Sequence, residues 1–158
     1  MIKNIYVSIE DQSFQIEVSE MEHPVQSMFH VAFDYGYENI FYKSVDHGDW
    51  IEQDIGQTSI ATCIGNIIEQ HYQLEDWEKP LTYVEADSNY GLLNFYYYKF
   101  KSSGFSLYEI YALNKRYMFS IVSLQNKAWE LHKMPGSYWN YPEYFVEIIP
   151  EIIVRENL

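Results

Sequence analysis

The chain has 158 residues, a length that suits one ordinary domain, and its 47% apolar content with 16 Tyr, 9 Phe and 4 Trp excludes a disordered chain. Its one cysteine, Cys63, excludes an internal disulfide and any multi-cysteine metal site. Charge is unevenly spread: residues 1–79 carry 15 acids against 3 bases and residues 80–158 carry 8 against 7, so −12 and −1 make up the total of −13, a field that disfavours nucleic acid and anionic lipid and favours a basic protein partner.

The opening residues, with Ile5, Val7 and Ile9 alternating with Tyr6 and Ser8, read as a strand and lack the continuous apolar stretch of a signal peptide. Phe14, Ile16 and Val18 continue the alternation after Glu10-Asp11-Gln12, which predicts a hairpin with one buried face. A second hairpin is expected from Phe29, Val31 and Phe33, through the turn Asp34-Tyr35-Gly36-Tyr37, to a return strand over 39–45. Residues 46–54 read as a turn.

Ile60, Cys63, Ile64, Ile67, Ile68 and His71 recur at three and four residues and predict a helix over 58–72, with Thr58 or Ser59 as its cap. Glu75, Asp76, Trp77, Glu78, Lys79 and Pro80 break that period. Strands are then expected over 92–101, 105–113 and 117–124, a meander rich in aromatic and β-branched residues whose two apolar faces call for helices on both sides. A closing helix over about 142–154 carries Phe145, Ile148, Ile149, Ile152 and Ile153 inward, with Pro150 expected to kink or divide it. No internal repeat or Gly/Ser linker is visible. The fold expected is a single α+β domain over 1–158, mainly antiparallel, with the helices at 58–72 and 142–154 flanking the sheet.

The order of helix, strand, aromatic meander and closing helix, ending in Tyr144-Phe145-Val146-Glu147-Ile148-Ile149, resembles the second half of the PsbP-like α/β/α sandwich family over residues 58–154. The likeness rests on element order and apolar pattern, without a specific motif. Members of that family include non-catalytic binding proteins and adaptors, so the resemblance implies binding rather than chemistry.

Motifs for catalysis are missing from the chain. Asp46-His47-Gly48-Asp49, with Glu52 and Asp54, concentrates possible metal ligands, but the glycine falls at the third position, not at the sixth as a calcium loop requires, and a turn accounts for the same residues. His23, His30, His71 and His132 form no metal-binding spacing, Cys63 sits on the apolar stripe of its helix, and no hydrolase or nucleotide-binding glycine motif occurs. No cofactor is expected. The favoured reading is a non-enzymatic, cytoplasmic, protein-binding module without membrane insertion, such as an immunity protein or an adaptor. Its basic partner would meet Asp34, Tyr35, Tyr37, Glu38, Asp46, Asp49, Trp50, Glu52 and Asp54, where carboxylates steer and rings anchor. Tyr138, Trp139, Tyr141 and Tyr144 make a second candidate surface. The alternative is a small-molecule-binding or hydrolytic domain with a cleft lined by Tyr and Trp and a site at Asp46, His47 and Asp49.

Overall fold

The computed structural model describes residues 1–23, 25–74, 78–126, 128–132 and 141–158. Among the described residues there are ten strands and two helices, and the chain, read from sequence as one domain, divides into two compact units, Met1–Lys79 and Pro80–Leu158. Among the described residues no helix is long and apolar enough to cross a membrane.

Unit 1 is an antiparallel meander of β1 (Ile2–Ile9), β2 (Gln12–Met21), β3 (Met28–Phe33), β4 (Glu38–Lys43) and β5 (Trp50–Glu52), followed by α1 (Ser59–His71). Both expected hairpins form, with Ile5 opposite Ile16 and Phe29 opposite Phe41. Alternation sends Ile5, Val7, Ile16, Val18, Phe29, Val31, Phe41 and Trp50 to one face, where they meet Ala61, Ile64 and Ile68 of α1. The Thr58 hydroxyl caps α1 by accepting the Ala61 N–H at 2.9 Å. Behind Trp50 the helix carries Gly65, where a Cβ would lie 2.1 Å from the indole. Glycine here permits close approach of helix and strand.

Unit 2 repeats the plan: β6 (Thr82–Ser88), β7 (Gly91–Ser102), β8 (Phe105–Tyr111), β9 (Tyr117–Leu124) and β10 (Trp129–His132) form a consecutive antiparallel sheet, then α2 (Tyr144–Arg155) closes the chain. The expected three-strand meander is present, with β6 and β10 added at its edges. α2 runs through Pro150 as one helix. Its Ile148, Ile149, Ile152 and Ile153 pack on Val84, Ala86, Phe95, Tyr108, Ile110, Phe119 and Ile121. The two helices therefore do not flank one sheet, as the sequence led us to expect; each packs on the sheet of its own unit.

The strand registers show an internal repeat that the sequence conceals. Ile5 pairs with Ile16 and Val84 with Phe95, each residue of the second pair standing 79 positions after its counterpart. The next pairing keeps the same offset, since Glu17 opposite Ala32 recurs as Tyr96 opposite Tyr111. The turn after β3 recurs as well: Phe33 N–H donates to Tyr37 C=O at 2.7 Å and Gly36 N–H to Phe33 C=O at 3.1 Å, as Ala112 N–H does to Arg116 C=O at 2.8 Å and Lys115 N–H to Ala112 C=O at 2.9 Å. Phe29 and Trp50 lie 5.9 Å apart at 49°, and Tyr108 and Trp129, again 79 positions on, lie 5.9 Å apart at 52°. A bulge at Ile110/Tyr111 advances β9 by one residue.

Candidate binding site

The N-terminal hairpin and α1 build a groove in unit 1. The β1–β2 turn consists of Glu10 and Asp11, both in the left-handed region (φ 50° and 64°), between the paired residues Ile9 and Gln12. Two consecutive positive φ values make the tight turn whose twist suits a hairpin, although Asn-Gly would adopt it at lower cost. On the opposite side the apolar arc of α1 is wider than the sheet can cover. Its buried centre is Ala61, Ile64, Gly65 and Ile68, so the expected stripe is rotated: Ile60 is 41% exposed, Cys63 and Ile67 are half-buried, and His71 is exposed, with its Nδ1 2.9 Å from Ile67 C=O.

Ile60, Cys63 and Ile67 line a cleft of about 1090 Å³ with Ile9, Phe14 and Tyr35. Phe14, Phe33 and Tyr35 form one ring cluster with centroids 5.3 to 6.0 Å apart. Tyr35 remains 62% exposed at the mouth. The polar rim supplies Glu10 and Asp34, and the Asp34 carboxylate accepts the Gln15 N–H at 2.9 Å, which fixes its position. The lining holds no Lys, Arg or His. An apolar floor under carboxylates favours recognition of a group that is apolar in body and cationic at its end.

The expected partner-binding residues separate into surface and interior. Asp34, Tyr35, Glu38, Asp49 and Asp54 are exposed. Trp50 is 5% exposed and packs in the core of unit 1, its Nε1 donating to Glu69 Oε1 at 3.0 Å, so it is a structural ring and not a surface anchor. Glu52 is 2% exposed and is consumed internally: Tyr37 Oη donates to Oε1, Asn39 Nδ2 lies 3.3 Å from the same oxygen, and Thr58 Oγ1 donates to Oε2 at 3.0 Å. This network ties β4, β5 and the start of α1 together. Burial, with the hydrogen bond to Glu52 second, raises the Tyr37 hydroxyl above its ordinary pKa. Burial opposes ionisation of Glu69, yet hydrogen bonds from Trp50 and Lys43, the latter 3.0 Å away, hold its carboxyl below the ordinary value.

Asp46 turns inward and accepts from Ser44 Oγ and, at 2.9 Å, from the His47 N–H; His47 points outward. Asp46, His47 and Asp49 lie outside the lining of this cleft, and no group of three or more His, Cys, Asp or Glu among the described residues is placed to hold a metal ion. In the second candidate surface Tyr138 and Trp139 lie outside the described residues. Tyr141 packs on Phe119 at 5.1 Å, and Tyr144 stacks on Tyr90 at 4.4 Å. Sequence reasoning missed the cleft because Glu10, Phe14, Ile60 and Cys63 are scattered over a turn, a strand and a helix; the one available signal was an apolar arc on α1 extending from Ile60 to Ile67, broader than one sheet contact needs. No protein family, curated protein or solved structure matches the chain.

Proposed function

We propose that the protein is a non-enzymatic binding module that docks a basic partner on unit 1, in the manner of an immunity protein that neutralises a toxin or of an adaptor. The observation that carries this reading is the open cleft of unit 1, apolar in its floor, bordered by Glu10 and Asp34 and free of cationic residues in its lining. The surplus of acids over the first 79 residues adds long-range attraction. Tyr35 replaces Trp50 as the ring available to a partner.

Affinity purification from the native host supplies the partner, and surface plasmon resonance at two salt concentrations tests the mode of binding. Association is expected to slow as salt rises, because exposed charges are screened over about 10 Å at 0.1 M. Asp34→Lys with Glu10→Lys slows association by about tenfold or more, whereas Tyr35→Ala speeds dissociation. Association indifferent to salt, with these variants binding like the wild type, would refute docking on this face.

A further inference from the structure

The internal repeat gives the unit 1 cleft a counterpart in unit 2. Along the helices the correspondence runs at 85 positions, since Ile64 and Ile68 become Ile149 and Ile153, all buried on their own sheets. Unit 2 has a groove at the same place, of about 400 Å³. Its Ser88, Asn89, Ile148 and Ile152 correspond to Ile9, Glu10, Cys63 and Ile67 of the larger cleft.

Beside that groove, which Arg155 lines, unit 2 ties α2 to the β6–β7 hairpin with its own side chains. Tyr144, from the first turn of α2, stacks on Tyr90 of the β6–β7 turn with centroids 4.4 Å apart and planes 14° from parallel. Arg155, from the last turn, reaches the same hairpin and donates through Nη2 to Asp87 C=O at 2.7 Å. One element thus brings a ring and a guanidinium to one hairpin. In unit 1 the corresponding residues are Ser59 for Tyr144, Asp11 for Tyr90, Gln70 for Arg155 and Ser8 for Asp87. At those positions unit 1 has neither the ring nor the cation, and a carboxylate stands in the place of the stacking ring.

We propose that the cleft of unit 1 accepts from a protein partner the two kinds of group that unit 2 supplies to its own hairpin: an aromatic side chain laid on Ile60, Cys63 and Ile67, and a neighbouring arginine held by the carboxylates of Glu10 and Asp34. This deepens the proposed function, on which it rests, by naming the chemistry of the docking segment. Ring burial supplies the affinity, and the carboxylates select a cationic neighbour over a neutral one. The cleft needs no covalent or redox step.

The probes are N-acetylated dipeptide amides, Tyr-Arg, Leu-Arg and Tyr-Gln, titrated into the full chain and followed by amide chemical shifts. Tyr-Arg is expected to shift Ile60, Cys63 and Ile67 with a dissociation constant on the order of millimolar, and the other two to bind at least about fivefold more weakly. Asp11→Tyr with Ser59→Tyr, which rebuilds the stacked pair in unit 1, abolishes the response; should that variant misfold, Ile60→Lys at an exposed position gives the same loss by repelling the cation and removing apolar area. Equal responses to all three dipeptides, shifts confined to unit 2, no shift at about 20 mM, or wild-type binding by the blocked variants would each overturn the proposal. If the dipeptides fail while the purified partner still associates in a salt-dependent way, the ring and arginine are wrong and acidic docking stands. If Tyr-Arg binds selectively while the partner associates independently of salt, the ring and arginine stand and acidic docking falls.

Discussion

His23 is one residue through which mild acid acts on this fold. Its Nδ1 accepts the N–H groups of Val25 at 3.1 Å and Gln26 at 2.9 Å, a role open only to the neutral ring, and burial lowers its pKa from 6.5 to about 4. The folded state therefore binds fewer protons than the unfolded state between those values, so the stabilisation is complete above about pH 6.5 and is lost as pH falls towards 4. Allowing for the partly exposed ring, the loss is on the order of 2 kcal/mol. Urea titrations at pH 7 and pH 4.5 should show it in the wild type and not in His23→Asn, whose amide oxygen can accept the same bonds without titrating. In the β1–β2 turn, Glu10 and Asp11 occupy positions that suit Asn-Gly. The double substitution Glu10→Asn with Asp11→Gly should raise stability by about 1 kcal/mol by relieving left-handed strain, and should weaken partner binding by removing two carboxylates. A variant both more stable and equally tight in binding would show that this turn has no part in recognition.

Elements were legible where one face alternates and obscure where pairing, not pattern, defines the strand. The two hairpins of unit 1, α1, the meander of β7, β8 and β9, and α2 carry their periodicity in sequence. β5 does not: its three residues follow Asp46, His47 and Asp49, whose turn chemistry dominates the segment, and only the bonds to β4 make it a strand. The repeat was hidden for a related reason. Register depends on where apolar residues alternate and not on which ones they are, and among the corresponding strand residues Trp50 and Trp129 are the one identical pair. The same substitution of pattern for identity misplaced Trp50, which looked like a surface anchor among acids and instead fills the space left by Gly65. Gly65→Ala should accordingly cost at least about 2 kcal/mol despite the better helix propensity of alanine, because the strand and helix must separate. In a Trp50→Leu background the cost should vanish, and denaturant titration of the four-member cycle measures that coupling. Additive effects would mean that the indole does not press on the helix.

Across the whole molecule the uneven charge sets both behaviour and vulnerability. With 15 acids against 3 bases in its first 79 residues, unit 1 carries self-repulsion that salt relieves, so the thermal midpoint should rise by a few degrees between about 0.05 and 0.5 M sodium chloride. A midpoint that falls instead would indicate that ion pairs such as Lys43–Glu69 outweigh repulsion. The matched registers of the two sheets have a further consequence, for assembly rather than for the finished fold. β6 offers β2 the same alternation that β1 does, so an unfolded chain has available a strand-exchanged state in which Val84 and Ala86 take the places of Ile5 and Val7. The smaller side chains would leave voids there, and that difference in volume is what discriminates the correct partner. Synthesis at about 5–20 residues per second presents β1 to β2 several seconds before β6 emerges, whereas a chain diluted out of denaturant meets both strands at once and must reject the wrong one.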